Sequence, residues 1–272
     1  MKARWLLLVA LVLLSACSGK NTQTQELSEQ QYYQEAQKAL DNNNFLVAID
    51  RLRQLEARYP FGIYAEQAQL EMMYAQYKMS DLASVLAISE RFIRLHPLHP
   101  QVDYAYYLRG VATYEMGFAF MDRYFNDGNM ERDPTPLRDA FQHFNELLLR
   151  YPDSQYAADA RARMVYIKQR LATHEISVAQ YQMKRHSFIA AANRASHVIT
   201  SYPRTPAVAD ALALQVEAYR QLQLFEEADK ALALLKLNFP NHVQLRDGRF
   251  IDSGLAEVDR RSLLSVITFG LL

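Results

Sequence analysis

Five prolines, each preceded by an aromatic residue or a histidine, set the register of this 272-residue chain: Tyr59-Pro60, His96-Pro97, Tyr151-Pro152, Tyr202-Pro203 and Phe239-Pro240. Their successive spacings are 37, 55, 51 and 37 residues. Aligning the chain on them brings other positions into phase. Fifteen residues before each proline stands a large apolar residue (Phe45, Leu82, Leu137, Phe188, Phe225), and twelve before stands a small or β-branched one (Ala48, Val85, Ala140, Ala191, Ala228). Five before is apolar again (Leu55, Phe92, Leu147, Val198, Leu235). Eight residues after each of the first four prolines comes alanine: Ala68, Ala105, Ala160 and Ala211. The apolar positions between −15 and −5 share one helical face. Proline then closes the helix, because it lacks an N–H and disfavours helical geometry in the residue before it. Alanine at +8 falls inside the next helix, where a small side chain allows close approach of a neighbour.

The resulting unit is a helix–turn–helix of slightly more than 34 residues with large and small apolar positions ending in proline, the tetratricopeptide pattern. Five recurrences in phase predict an all-α solenoid of five such repeats, and the low content of 8 Gly and 9 Pro fits helices better than strands and turns. The 55-residue interval exceeds the basic spacing over Asp122 to Pro136, where Asn126-Asp127-Gly128-Asn129 and Asp133-Pro134 are loop-forming. The 51-residue interval holds no Gly or Pro between Asp153 and Pro203, which predicts an elongated helix in repeat 4, from about Gln155 to His186. After Pro240 the pattern fades. Gly248 takes the +8 place, Ala256 to Arg261 could form a short helix, and the apolar ending Leu263 to Leu272 requires a covering surface. A cap on the last repeat, disorder, or docking on another protein would each answer that requirement.

Residues 1–16 have the layout of a secretory signal: Lys2 and Arg4, an apolar run from Trp5 to Leu14, then small residues. The run is too short to cross a bilayer, which takes about twenty residues. Its end, Leu14-Ser15-Ala16-Cys17, resembles the bacterial lipobox, which implies that Cys17 is acylated and becomes the first residue of the mature chain. An ordinary signal peptide with an incidental free cysteine is the alternative. Ser18 stands where inner-membrane retention signals in enteric relatives typically place Asp, which points to the outer membrane. Residues 17–29 then read as a lipidated flexible tether, polar and small from Ser18 to Gln25. No other cysteine is present, so no disulfide is available and stability must come from burial.

Charge and motifs narrow the chemistry. Thirty basic and thirty acidic residues leave no net charge, which argues against a nucleic-acid partner. The sequence contains no Gly-rich phosphate loop and no His-Glu-x-x-His helix. His96-Pro97-Leu98-His99 reads as a turn between repeats rather than a metal site. No enzyme is indicated and no cofactor is expected beyond the covalent lipid on Cys17.

Several stretches carry a closer resemblance: Arg58-Tyr59-Pro60-Phe61-Gly62, Arg91 to Pro97, Asp103 to Gly110, Arg132-Asp133-Pro134, Tyr151 to Tyr156 and Phe188 to Arg194. Together with the lipobox they resemble the BamD (ComL-type) family of outer-membrane lipoproteins over about Tyr32 to Phe239, and the likeness ends by about Val243. The resemblance implies a periplasmic scaffold of the β-barrel assembly (BAM) complex, anchored in the inner leaflet of the outer membrane. Its implied partners are a POTRA domain of BamA, the lipoproteins BamC and BamE, and unfolded outer-membrane barrel proteins. Repeats over 30–150 would bind substrate and a further lipoprotein, repeats over 151–245 would bind BamA, and 246–272 would be a tail. Arg194 matches the family's arginine that meets an acid of the POTRA domain. Tyr64, Tyr74, Tyr77, Phe92, Arg94, Tyr104 and Tyr107 are candidates for a substrate-peptide groove, since aromatic rings and arginines suit a segment rich in aromatics and free backbone groups. Most of these rings, Tyr106 included, should be inter-helix core, and Arg94 is the residue with least packing reason to be there. A lipoprotein adaptor in peptidoglycan metabolism is the alternative reading.

Overall fold

The computed structural model describes residues 27–124 and 134–257, without the side chains of 118–124. Ten helices occur among the described residues: α1 Glu29–Asp41, α2 Phe45–Arg58, α3 Ala65–Lys78, α4 Leu82–Leu95, α5 Val102–Tyr124, α6 Thr135–Arg150, α7 Ala157–Lys184, α8 Phe188–Ser201, α9 Ala207–Gln221 and α10 Phe225–Asn238. They pair in sequence as five helix–turn–helix repeats, the all-α arrangement expected from the prolines. The molecule divides into two compact units, Met1–Ala75 and Gln76–Leu272, with the boundary running through α3. Inside the first, α1 packs on α2; inside the second, packing runs α4–α5, α5–α6, α6–α7, α7–α8, α8–α9 and α9–α10, with α7 also against α9.

The proline register has a common local geometry. Each second helix of a repeat is capped by the residue before its proline, Tyr59, His96, Tyr151, Tyr202 or Phe239, with φ between −136 and −126° and ψ between 48 and 66°. The N–H of that residue bonds the carbonyl of the −5 residue at 2.8–2.9 Å. The −12, −5 and +8 side chains named above are all buried. They are the seam between consecutive helices, and their burial is the main source of stability in a protein without cross-links. Gly110 on α5 lies so close to the buried Phe144 ring on α6 that a Cβ would sit 2.7 Å from it.

The turn inside four of the repeats has a second recurring device. Asn43, Ser80, His186 and Gln223 adopt positive φ (56–61°), each two residues before the second helix starts. Their N–H groups bond the carbonyls of Leu40, Tyr77, Met183 and Arg220, while the next N–H reaches Ala39, Gln76, Gln182 and Tyr219. This is a Schellman turn, usually built on glycine and here built four times without it. Asn44 and Asp81 then cap α2 and α4 with their side chains.

Repeat 4 has the elongated helix: α7 has 28 residues, against 13 to 15 in the first helices of repeats 1, 2 and 5. Helix α5 runs on to Tyr124, so Asp122 to Tyr124, expected in a loop, are helical, and the rest of that loop up to Asp133 lies outside the described residues. The chain beyond Pro240 leaves the repeat pattern. Gly248 is not in a helix; Asp247 (φ 49°) and Gly248 (φ 72°) form the turn of a small hairpin, β1 Leu245–Arg246 against β2 Arg249–Phe250. Asp-Gly is a strong signal for such a turn. Leu245 and Phe250 pack over Val208, Leu212, Ala213 and Leu235, so this segment covers the end of the last repeat. Gly254 to Glu257 is a turn, and Val258 to Leu272, which holds most of the Ala256–Arg261 stretch and the whole apolar ending, lies outside the described residues.

Candidate functional site

The groove candidates fall in both units. In the first, Tyr64 stacks on Tyr33 at 4.4 Å, and its N–H donates to Glu29 Oε1 at 2.8 Å. The Tyr33 hydroxyl donates to Glu71 Oε1 at 2.7 Å. Burial, then that carboxylate, pushes its pKa up. Tyr74 is partly exposed, with its ring edge-on to Phe45 at 6.1 Å.

In the second unit, the Tyr77 hydroxyl donates to Glu115 Oε1 at 2.8 Å, and that of Tyr107 to Asp159 Oδ2 at 2.9 Å. Tyr107 also stacks on Tyr156 at 4.6 Å, and Tyr104 lies 5.5 Å from the same ring. Burial, reinforced by Asp159, pushes the Tyr107 hydroxyl up to about 12. Tyrosines whose hydroxyls donate hydrogen bonds to carboxylates on the next first helix stay neutral donors at ordinary pH. They fix the spacing of those helices and present ring faces rather than free hydroxyls. Phe92 is fully buried against His96 and His99, so it is core and leaves the groove set. Its −5 position in the register already required that. Arg94 is exposed on the last turn of α4 with no hydrogen-bond or ion-pair partner among the described residues.

Around Arg194 the structure is more specific. Its Nη1 lies 2.6 Å from Glu175 Oε2, on α7, and the Glu175 side chain is only 2% exposed. Arg138 Nη2 on α6 approaches the other carboxylate oxygen at 3.5 Å. Two arginines thus share one buried carboxylate, and the trio carries one positive charge in excess. Arg194 keeps 38% of its side chain exposed. It lines a shallow depression of about 370 Å³ with Gln182, Ala190, Asn193 and His197, and the Gln182 Oε1 is buried without a hydrogen-bond partner among the described residues. Exposed Tyr181 and Ile189 lie in sequence beside these lining residues. A half-open guanidinium held by a buried carboxylate, with amide groups and apolar side chains close by, suits a partner's acidic side chain. Glu175, nineteen residues from Arg194, was not legible as its partner.

Cys17 lies outside the described residues. Among those described, no helix is long and apolar enough to cross a membrane, and no group of three or more His, Cys, Asp or Glu could hold a metal ion.

Comparison with known proteins places the chain. Residues 25–234 match a family model described as "YfiO: Outer membrane lipoprotein". The outer membrane protein assembly factor BamD of Vibrio cholerae is 42% identical over 231 residues, covering 85% of this chain and 96% of that protein. Its namesake from Neisseria gonorrhoeae is 43% identical over 242 residues (86% and 91%), and that of Pasteurella multocida 34% over 225 residues (83% and 86%).

Proposed function

Because the chain belongs to the YfiO (BamD) family of outer-membrane lipoproteins, we propose that it works as an outer-membrane protein assembly factor, a non-catalytic lipoprotein scaffold of the BAM complex. Acylated Cys17 holds it at the periplasmic face of the outer membrane. Repeats 4 and 5 hold a POTRA domain of BamA through Arg194, and the first repeats take unfolded barrel proteins and neighbouring lipoproteins such as BamC and BamE.

The observation that supports the partner site is the state of Arg194. An arginine held only to pack would be covered; this one is half exposed beside a depression, on a buried carboxylate that leaves the trio one positive charge in excess. An acid from the partner neutralises that excess. Removing one member of such a charge pair from an interface costs about 2–5 kcal/mol.

The test is recovery of BamA from detergent-solubilised outer membranes by wild-type protein and by Arg194→Glu, with thermal unfolding run alongside to exclude a folding defect. Recovery by wild type and loss in the folded variant is the expected result. Equal recovery by both would remove Arg194 from the interface. Recovery of a cell-wall amidase in place of BamA by the wild type would overturn the assembly reading.

A further inference from the structure

The sharpest exposed apolar feature of the first unit is the turn between α2 and α3. Phe61 is 99% exposed and Ile63 83%. They are not on a loose loop. Gly62 N–H bonds Tyr59 O at 3.0 Å and Ala65 N–H bonds Gly62 O at 3.2 Å. Gly62 lies so near the Glu29 carboxylate that a Cβ would meet its oxygen at 2.0 Å, and the same carboxylate accepts from Tyr64 N–H. Two apolar side chains are therefore held outward on a braced backbone, on the surface of a chain whose mature part must stay soluble in the periplasm.

What lies beside this turn says what covers it. The Tyr59 hydroxyl donates to the carbonyl of Leu27 at 3.1 Å, and Ser28 caps α1 immediately after. The first described residues are thus fastened to the base of the Phe61–Ile63 turn. Leu27 stands ten positions after Cys17, a stretch that reaches at most about 35 Å when fully extended. A leaflet that holds the Cys17 lipid is never beyond that reach of Leu27, which the Tyr59 hydroxyl ties to the turn, and tethering of this length raises its local concentration to the millimolar range.

We propose that Phe61 and Ile63 form a membrane-docking tip that inserts into the phospholipid leaflet carrying the Cys17 lipid, so that the body of the protein is oriented on the membrane and not merely moored to it. The inference rests on the reading of Cys17 as the anchor. A single apolar anchor leaves a body free to swing; a second contact close to the anchor's exit removes that freedom, and two side chains of this size favour transfer out of water strongly enough for a tethered group to stay inserted.

The only tryptophan is Trp5, inside the signal segment, so the mature chain has none and Phe61→Trp supplies a single reporter at a site where the side chain touches nothing. The acylated variant is reconstituted in vesicles of phosphatidylethanolamine and phosphatidylglycerol with lipids brominated along their chains. Leu237→Trp, on exposed α10, serves as the comparison. The expected result is flotation of both variants with the vesicles, a blue shift and bromine quenching at position 61, and neither at 237. Replacing Ile63 by Ser in the Phe61→Trp chain should then reduce the quenching. Flotation without quenching at 61 would overturn the docking tip while leaving the anchor intact. Equal quenching at both positions would overturn it too, as indiscriminate adsorption. A position-61 signal that ignores lipid and responds to an unfolded barrel peptide would overturn it in favour of substrate. Failure to float would sink the anchor and this inference together.

Discussion

Two buried carboxylates on consecutive first helices are stabilised in opposite ways. Glu175 on α7 is held by charge, between Arg138 and Arg194, and both arginines keep much of their surface in solvent. Glu217 on α9 is held by neutral donors: Ser253 N–H at 2.6 Å, Ser253 Oγ at 2.7 Å, and the Gln244 side-chain amide. All three come from the segment after Pro240. A carboxylate saturated by local donors has nothing left to offer outside the fold, so Glu217 fastens the hairpin over Val208, Leu212 and Leu235. A carboxylate shared by two half-open cations leaves charge facing outward. The same residue type is thus a latch in repeat 5 and the base of the proposed contact site in repeat 4, and its hydrogen-bonding neighbours decide which.

The comparison is broken most forcefully at the latch. Glu217→Ala removes three hydrogen bonds to an ionised acceptor and frees Leu245 and Phe250 from the core; a loss of about 3 kcal/mol is expected in denaturant titration. Hydrogen exchange should accelerate at 244–255 before it does in α9, and unchanged protection there would show that the hairpin is held by packing alone. Arg194→Ala should cost less, about 2 kcal/mol. Glu175 stays buried with only the longer Arg138 contact, but Arg194 is more than a third exposed and its pairing is discounted for solvent. A loss as large as that of Glu217→Ala would mean that Arg194 is a core residue rather than a surface one. The smallest change sharpens the picture from a neutral site: glycine in place of Ser80, His186 or Gln223 relieves a left-handed residue with a Cβ and should raise stability by about 1 kcal/mol each. Thermal unfolding of the three single variants checks it, and a drop at His186 alone would point to its edge-on contact with Phe188.

Much of the fold was legible because proline and the apolar pattern act locally. The −12, −5 and +8 positions named the seam residues, and the absence of Gly and Pro announced α7 to within two residues at each end. The four Schellman turns were not legible, since their usual marker is glycine and Asn43, Ser80, His186 and Gln223 give no such mark. Asp247-Gly248 did give one, in the stretch where the repeat register fades and Gly248 replaces the alanine at +8. The site was less legible than the fold for a plain reason: its contacts are distant in sequence. Tyr107 finds Asp159 across 52 residues, Tyr77 finds Glu115 across 38, and Arg194 finds Glu175 on another helix. Phe92 shows the converse, a residue whose register position had already settled its place in the core.

Helix α7 changes how the second unit must come apart. In a stack of repeats, each module trades contacts only with its neighbours and the chain unravels from an end, module by module. Here one rod of 28 residues, about 42 Å at the usual helical rise, is shared. Its first turns hold Tyr107 and Tyr114 of α5 through Asp159 and Arg163. Its last turns, Ala172 to Met183, form one apolar cluster with α8 and α9. Losing α8 and repeat 5 would strip the covering from half of a helix whose other half stays bound, exposing apolar surface with no compensating gain of chain freedom along the retained part. Repeats 3 to 5 are thereby expected to melt as one cooperative block, with fraying confined to what lies outside it.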